Sequence, residues 1–167
     1  MKWAGLLLIV LTGGAIGWRQ ALGLRQRTAA LEELLRWIRQ LAAVMRYTAA
    51  PLGELLADSS LREGYPALPF LAALAQQADG GSFSEIWRRS IDSEQGLAFT
   101  EEDRALLLRF GDQLGQTDIE GQLAHCALYV ELLEERLAEA REAQRTKGHM
   151  YATLGVSGGL ALAILLI

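Results

Sequence analysis

Charge is missing from both ends of this chain. Trp3 to Trp18 carries none, and neither does Met150 to Ile167; all 20 acidic residues and all but one of the 16 basic ones lie between Arg19 and Lys147. Cysteine is nearly absent too. One thiol, Cys126, excludes an intrachain disulfide and a four-ligand cysteine metal site. With two histidines, and no zinc spacing, P-loop or glycine-rich dinucleotide loop, no set of residues has the matched nucleophile, base or metal ligands that catalysis needs. The reading is therefore of a protein that is not an enzyme and has no cofactor. The net charge of −4 and a basic patch no larger than Arg88-Arg89 argue against nucleic acid. Alternating β-branched runs are lacking, which excludes an obvious sheet.

What remains is rich in Ala, Leu, Glu, Gln and Arg, all good helix formers. The predicted fold is all-α: a cytosolic antiparallel bundle of about six helices, residues 19–148, flanked by transmembrane helices at 3–18 and 149–167. Each uncharged run covers about 24–27 Å at 1.5 Å per residue, slightly short of a ~30 Å hydrocarbon core. Trp3 and Trp18 bracket the first run, and Arg19 and Lys147 can snorkel. A signal peptide is the competing reading of the first run, with Ala15-Ile16-Gly17 as its cleavage site. The basic flank after Trp18 argues against it. Arg19, Arg25 and Arg27 follow the first run, and Arg141, Arg145 and Lys147 precede the second. By the positive-inside rule the middle of the chain faces the cytosol.

Within the central region, Leu31, Leu34, Ile38, Leu41 and Met45 form one apolar stripe at steps of 3 and 4, with Glu32 and Arg36 paired behind it. Pro51 suits the start of a short helix to about Asp58. Pro69 to Gln77 reads as a third helix, ended by Asp79-Gly80-Gly81. Ser82 to Glu85 is a capping box opening a fourth, with Phe83, Ile86, Trp87 and Ser90 inward. Thr100 to Asp103 opens a fifth, which carries Leu107, Phe110 and Leu114 and is closed by Gly115 in the left-handed position. Thr117 to Glu120 reads as a third box, opening a long sixth helix. There Ile119, Leu123, Cys126, Val130, Leu133, Leu137 and Ala140 make an unbroken apolar seam. Cys126 is expected to be an inert core thiol and His125 an edge residue.

Two features point to partners. Glu131, Glu135, Glu139 and Glu142 form one acidic row, with Glu101, Glu102 and Asp103 as a second acidic group. Like charges at i,i+4 repel weakly, so a basic partner surface is a candidate, against the plainer reading of a solvated face. The basic stretch from Arg19 to Arg46 suits anionic membrane lipids. Gly13 and Gly17, and again Gly155 and Gly159, have the spacing that lets helices pack closely in lipid, within one chain or between the subunits of a homo-oligomer.

From Phe110 to the end the residues resemble the stage III sporulation protein AB family. The shared order is Phe110-Gly111, Leu114-Gly115, Asp118, Gln122, a long charged helix, Lys147, Tyr151 and Leu154-Gly155. Tyr47, Pro51-Leu52 and Trp87 also match, while about Leu55 to Phe99 matches loosely. The resemblance implies a scaffold of the stage III A complex, a channel-like assembly in the outer forespore membrane facing the mother cell. It further implies a soluble domain similar to the helical F domain of type II secretion platforms. Its implied partners are a cytosolic secretion-type ATPase and the complex's other membrane proteins. A two-span adaptor or regulator unrelated to secretion is the alternative.

Overall fold

A computed structural model describes residues 2–48, 54–55, 61, 63–76, 82–94 and 96–165. Five helices are defined among them: α1 Lys2–Thr48, α2 Phe70–Gln76, α3 Phe83–Ser93, α4 Glu101–Gln113 and α5 Ile119–Leu165. No strand occurs among the described residues, so the all-α expectation holds. The first uncharged run and the first amphipathic stripe form one continuous helix, and so do the last seam and the C-terminal run, as the absence of a helix-breaking proline between them predicts. Of the helix expected from Pro51, Glu54 and Leu55 are helical; the rest, like Asp79-Gly80-Gly81, lies outside the described residues.

The chain divides into two compact units, Ala29–Leu137 and the paired ends Met1–Thr28 with Ala138–Ile167. The first unit holds an aromatic core. Trp37, Trp87, Phe70 and Phe110 are all fully buried. Trp37 stacks on Trp87 at 5.6 Å between ring centroids, and Phe70 meets Trp87 edge-on at 5.4 Å. Buried indoles need acceptors for their N–H groups. Trp37 Nε1 donates to the Leu61 carbonyl at 2.8 Å, and Trp87 Nε1 to the Leu107 carbonyl at 2.9 Å. Gly111 makes room for this: a Cβ there would stand 2.0 Å from the Trp87 ring.

The stripe on α1 is buried as its spacing predicts, with Leu31, Leu34, Ile38, Leu41 and Met45 all 4% exposed or less. Leu34 and Ile38 border one small gap in the packing together with Leu107 and Phe110 of α4 and Tyr129 and Leu133 of α5. Glu33, on the same helix, is also nearly buried. Its carboxylate accepts the Ala67 N–H at 2.7 Å and lies 3.8 Å from Arg36, so Arg36 reaches Glu33 as well as lying 5.8 Å over the Tyr65 ring. These contacts hold the irregular stretch before α2 against α1.

The helix starts follow their side chains. Ser82 and Glu85 form the expected reciprocal cap on α3, and Thr100 and Asp103 on α4. Gly115, at φ +81°, follows the α4 C-cap Leu114 in the region where a side chain is strained. The start of α5 departs from expectation by one residue. Asp118, not Thr117, accepts the Gly121 N–H, at 2.9 Å. Thr117 instead packs over Gly121, where a Cβ would meet its Oγ1 at 2.7 Å.

In the second unit, Thr28 is buried and its hydroxyl donates to the Leu24 carbonyl at 3.1 Å. Gly17 and Ala140 are buried, whereas Trp18, Leu22 and Met150 are exposed. Among the described residues no helix is long and apolar enough to cross a membrane.

Candidate interaction surfaces

Ion pairs between helices mark the outer face of the first unit. Arg88 holds both oxygens of Asp112 at 2.7 and 2.9 Å, and Arg104 holds Asp92 at 2.6 Å, joining α3 to α4. Arg136 of α5 reaches Glu102 of α4 at 2.6 Å, and Arg39 of α1 pairs with Glu134 of α5. All are substantially exposed, so each contributes only about 0–1 kcal/mol to stability. Their larger effect is to decide which acids remain available.

The second acidic group breaks up accordingly. Asp103 is 1% exposed and accepts the Thr100 N–H at 3.1 Å while its own N–H donates to the Thr100 hydroxyl. It is a buried cap and not a surface charge, which corrects the expectation placed on it. Glu102 is taken by Arg136. Glu101 is exposed at the first turn of α4, where a carboxylate suits the helix dipole.

All four residues of the acidic row are exposed on α5. They fall in different units, Glu131 and Glu135 in Ala29–Leu137, Glu139 and Glu142 in the paired ends. Glu142 lies 3.3 Å from Arg145. Of the glycines, Gly17 is buried; Gly13, Gly155 and Gly159 are helical, and their surroundings lie outside the described residues.

The seam on α5 is covered along part of its length. Cys126, Leu133, Leu137 and Ala140 are buried to 4% exposure or less, but Leu123 and Val130 are half-buried and Ile119 is 40% exposed. Tyr129, which the seam pattern omits, is buried instead. It packs against Phe110 at 5.2 Å and His125 at 4.6 Å. His125 stacks on Phe110 at 5.2 Å and its Nε2 sits 3.0 Å from the Phe110 carbonyl, so the edge residue caps the end of α4. Burial pushes the Cys126 thiol up to about 11, and burial likewise raises the Tyr65 and Tyr129 phenols above their ordinary value. None of these is poised as a nucleophile near neutral pH.

Where the seam is uncovered, a groove of about 350 Å³ lies between α1 and α5. Ala42, Ala43, Ala127, Leu123 and Val130 form its walls, with Arg39, Arg46 and Glu131 at the sides. Sequence reasoning missed this groove because it assigned Leu123 and Val130 to the interior. The small side chains Ala42, Ala43 and Ala127 were the available signal.

Compared with known proteins, residues 2–167 match the family described as stage III sporulation protein AB. The chain is 27% identical over 170 residues to the stage III sporulation protein AB of Bacillus subtilis (strain 168), covering 100% of this chain and 99% of that protein. No solved structure matches it.

Proposed function

Because this chain belongs to the stage III sporulation protein AB family, we propose that it is a non-enzymatic, membrane-anchored platform component of the stage III A sporulation channel complex in the mother cell, coupling a cytosolic ATPase to the membrane assembly. The carrying observation is the extent of the family match, residues 2–167, which includes both uncharged ends as well as the helical middle. A match confined to the helical middle would leave the anchors without support.

In this reading residues 3–18 and 149–167 cross the outer forespore membrane and residues 19–148 face the mother-cell cytosol. Support comes from the missing charge at both ends and the arginines and lysine just inside each. The exposed Trp18 beside the exposed Arg19 and Arg25 suits a headgroup zone. The glycine pairs would pack against each other or against the complex's other membrane proteins. A cysteine introduced by Ser93→Cys, with Cys126→Ala, should resist an impermeant thiol reagent in intact cells. Ready labelling would overturn the orientation and the ATPase partner together.

The ATPase-facing surface is assigned to the exposed acids Glu131, Glu135, Glu139 and Glu142, with Glu101 of α4 as a second contact. Such contacts steer association and weaken with salt. The test is capture of the purified ATPase by the full chain in lipid nanodiscs at low and high salt. Replacing the four row glutamates by lysine should reduce capture at low salt. Absence of capture under both conditions refutes the coupling role; capture indifferent to salt and to charge reversal refutes the acidic row as the surface.

A further inference from the structure

The uncovered end of the α5 seam is a pattern without a partner. Apolar residues recur at steps of 3 and 4 from Ile119 to Ala140, which is the periodicity of a helix buried along one side. The fold covers Cys126 and the positions from Leu133 on, and leaves Leu123 and Val130 half-buried in the groove, with Ile119 exposed one turn before them. Across the groove α1 presents Ala42 and Ala43, with Tyr47 88% exposed one turn further on. Alanine on both walls lets another helix approach closely. That alone would not name the occupant.

The charges do. The groove has one side chain of each sign left over. Arg39 is committed to Glu134. Arg46 on α1 and Glu131 on α5 are both exposed, and neither has an ion-pair partner among the described residues. An acidic partner would satisfy Arg46 and repel Glu131; a basic partner would do the reverse. A surface carrying the same two charges satisfies both at once, since in a twofold contact residue i meets j and j meets i. We propose that the groove between α1 and α5 is a self-association surface whose occupant is a second copy of this chain, with Arg46 of each copy facing Glu131 of the other and the open seam residues closing on one another.

Glu131 belongs to both this surface and the acidic row of the ATPase reading, whereas Glu135, Glu139 and Glu142 stay outside the groove; reversing the charge of those three alone tests the ATPase reading without touching self-association. The test of self-association uses the full chain in detergent and in nanodiscs. Ala127→Cys, in a Cys126→Ala background, places a thiol in the wall of the groove. Mild oxidation should yield a disulfide-linked pair of 18.3 kDa chains, whereas Arg89→Cys, at an exposed position of α3, should not. Arg46→Glu should weaken self-association about tenfold or more by setting like charges together. Arg46→Glu combined with Glu131→Arg should restore it. Circular dichroism of each variant separates loss of pairing from loss of fold. Three results would overturn the proposal: a chain that stays single at micromolar concentration with the introduced thiol unlinked, a dimer indifferent to both charge variants, or linkage through that thiol only to a different protein.

Discussion

Gly111→Ala is the change that most directly tests how the core is built. The added methyl would lie 2.0 Å from Trp87 Cδ1, and 2.3 Å from its Cγ and Nε1, against a comfortable ~3.5–4.0 Å. The ring would have to retreat by about 1.5 Å. It has nowhere to go: Trp37, Phe70, Phe83 and Phe110 stand 5.4–5.8 Å from it on its other sides. Overpacking of this kind costs about 1–3 kcal/mol. Displacing Nε1 from the Leu107 carbonyl leaves two buried groups unpaired, a further ~1–3 kcal/mol. Alanine returns about 1 kcal/mol through its better helix propensity. The net expectation is about 3 kcal/mol of destabilisation, or a melting temperature lower by roughly 6–12 °C for a chain of this size. Near-UV circular dichroism during a thermal melt of the full chain in detergent reads both the midpoint and the indole environment. The clash also predicts a coupling: with Trp87→Leu already present, Gly111→Ala should cost less than about 1 kcal/mol. A single variant melting within about 2 °C of the parent, with its tryptophan signal unchanged, would show that the ring is not seated on Gly111 as described.

Other changes separate surface acids from structural ones. Asp103→Ala removes the carboxylate half of the α4 capping box, leaving the Thr100 N–H without that acceptor, and should cost about 1–2 kcal/mol, while Glu101→Ala should stay within about 0.5 kcal/mol; urea unfolding of the two variants checks the contrast. Glu33→Gln keeps the shape but weakens a charge-assisted bond to the Ala67 N–H, and should lower stability by about 1 kcal/mol in the same assay. Cys126 should react slowly with a thiol reagent at about pH 8 until the chain is unfolded. Its folded-state pKa of about 11 lies above the ordinary 9.0, so the folded form holds the proton longer than the unfolded one. The resulting stability is fully present below about pH 9 and is lost as pH rises through about 11. The raised Tyr65 and Tyr129 phenols act in the same direction at alkaline pH. Melting temperatures should therefore fall across about pH 9–11, and fall less steeply in Cys126→Ala.

Local rules made the helices legible. The α1 stripe, the two capping boxes on α3 and α4, and the Gly115 turn depend on neighbours within a few residues, and each is where its spacing puts it. What escaped depends on contacts distant in sequence. Trp37 carries no periodic mark that sets it apart from the other apolar residues of α1, yet its ring meets Trp87 because α3 is folded over it. Glu33 has the look of any surface acid in the sequence; only the stretch before α2 brings the Ala67 N–H to it. Asp103 shows one residue serving a local cap and losing its surface role at once. On α5, heptad logic put Cys126, Leu133, Leu137 and Ala140 in the core, where they are, but could not say which positions another helix would cover. Tyr129 is buried and Val130 left half-open because Phe110 and His125 gather on the tyrosine side. The acidic row was legible as a row, and what it binds is a matter of a partner's chemistry that no helical period encodes.

The Arg39–Glu134 pair joins residues 95 positions apart, and that separation sets an order of events during synthesis. α1 is made first, but the α5 residues that cover its stripe are not made until much of the chain has left the ribosome. At about 5–20 residues per second the interval is roughly 5–20 s. Throughout it the side of Leu34 and Ile38 that Tyr129 and Leu133 will cover faces water or whatever shields it. The aromatic residues of α2, α3 and α4 arrive in between and can cover the Trp37 side earlier, leaving the α5 side to close last. Nascent chains arrested before Leu133 should accordingly bind chaperones or the fluorescent dye ANS, and release them once arrest is moved far enough downstream for that residue to emerge.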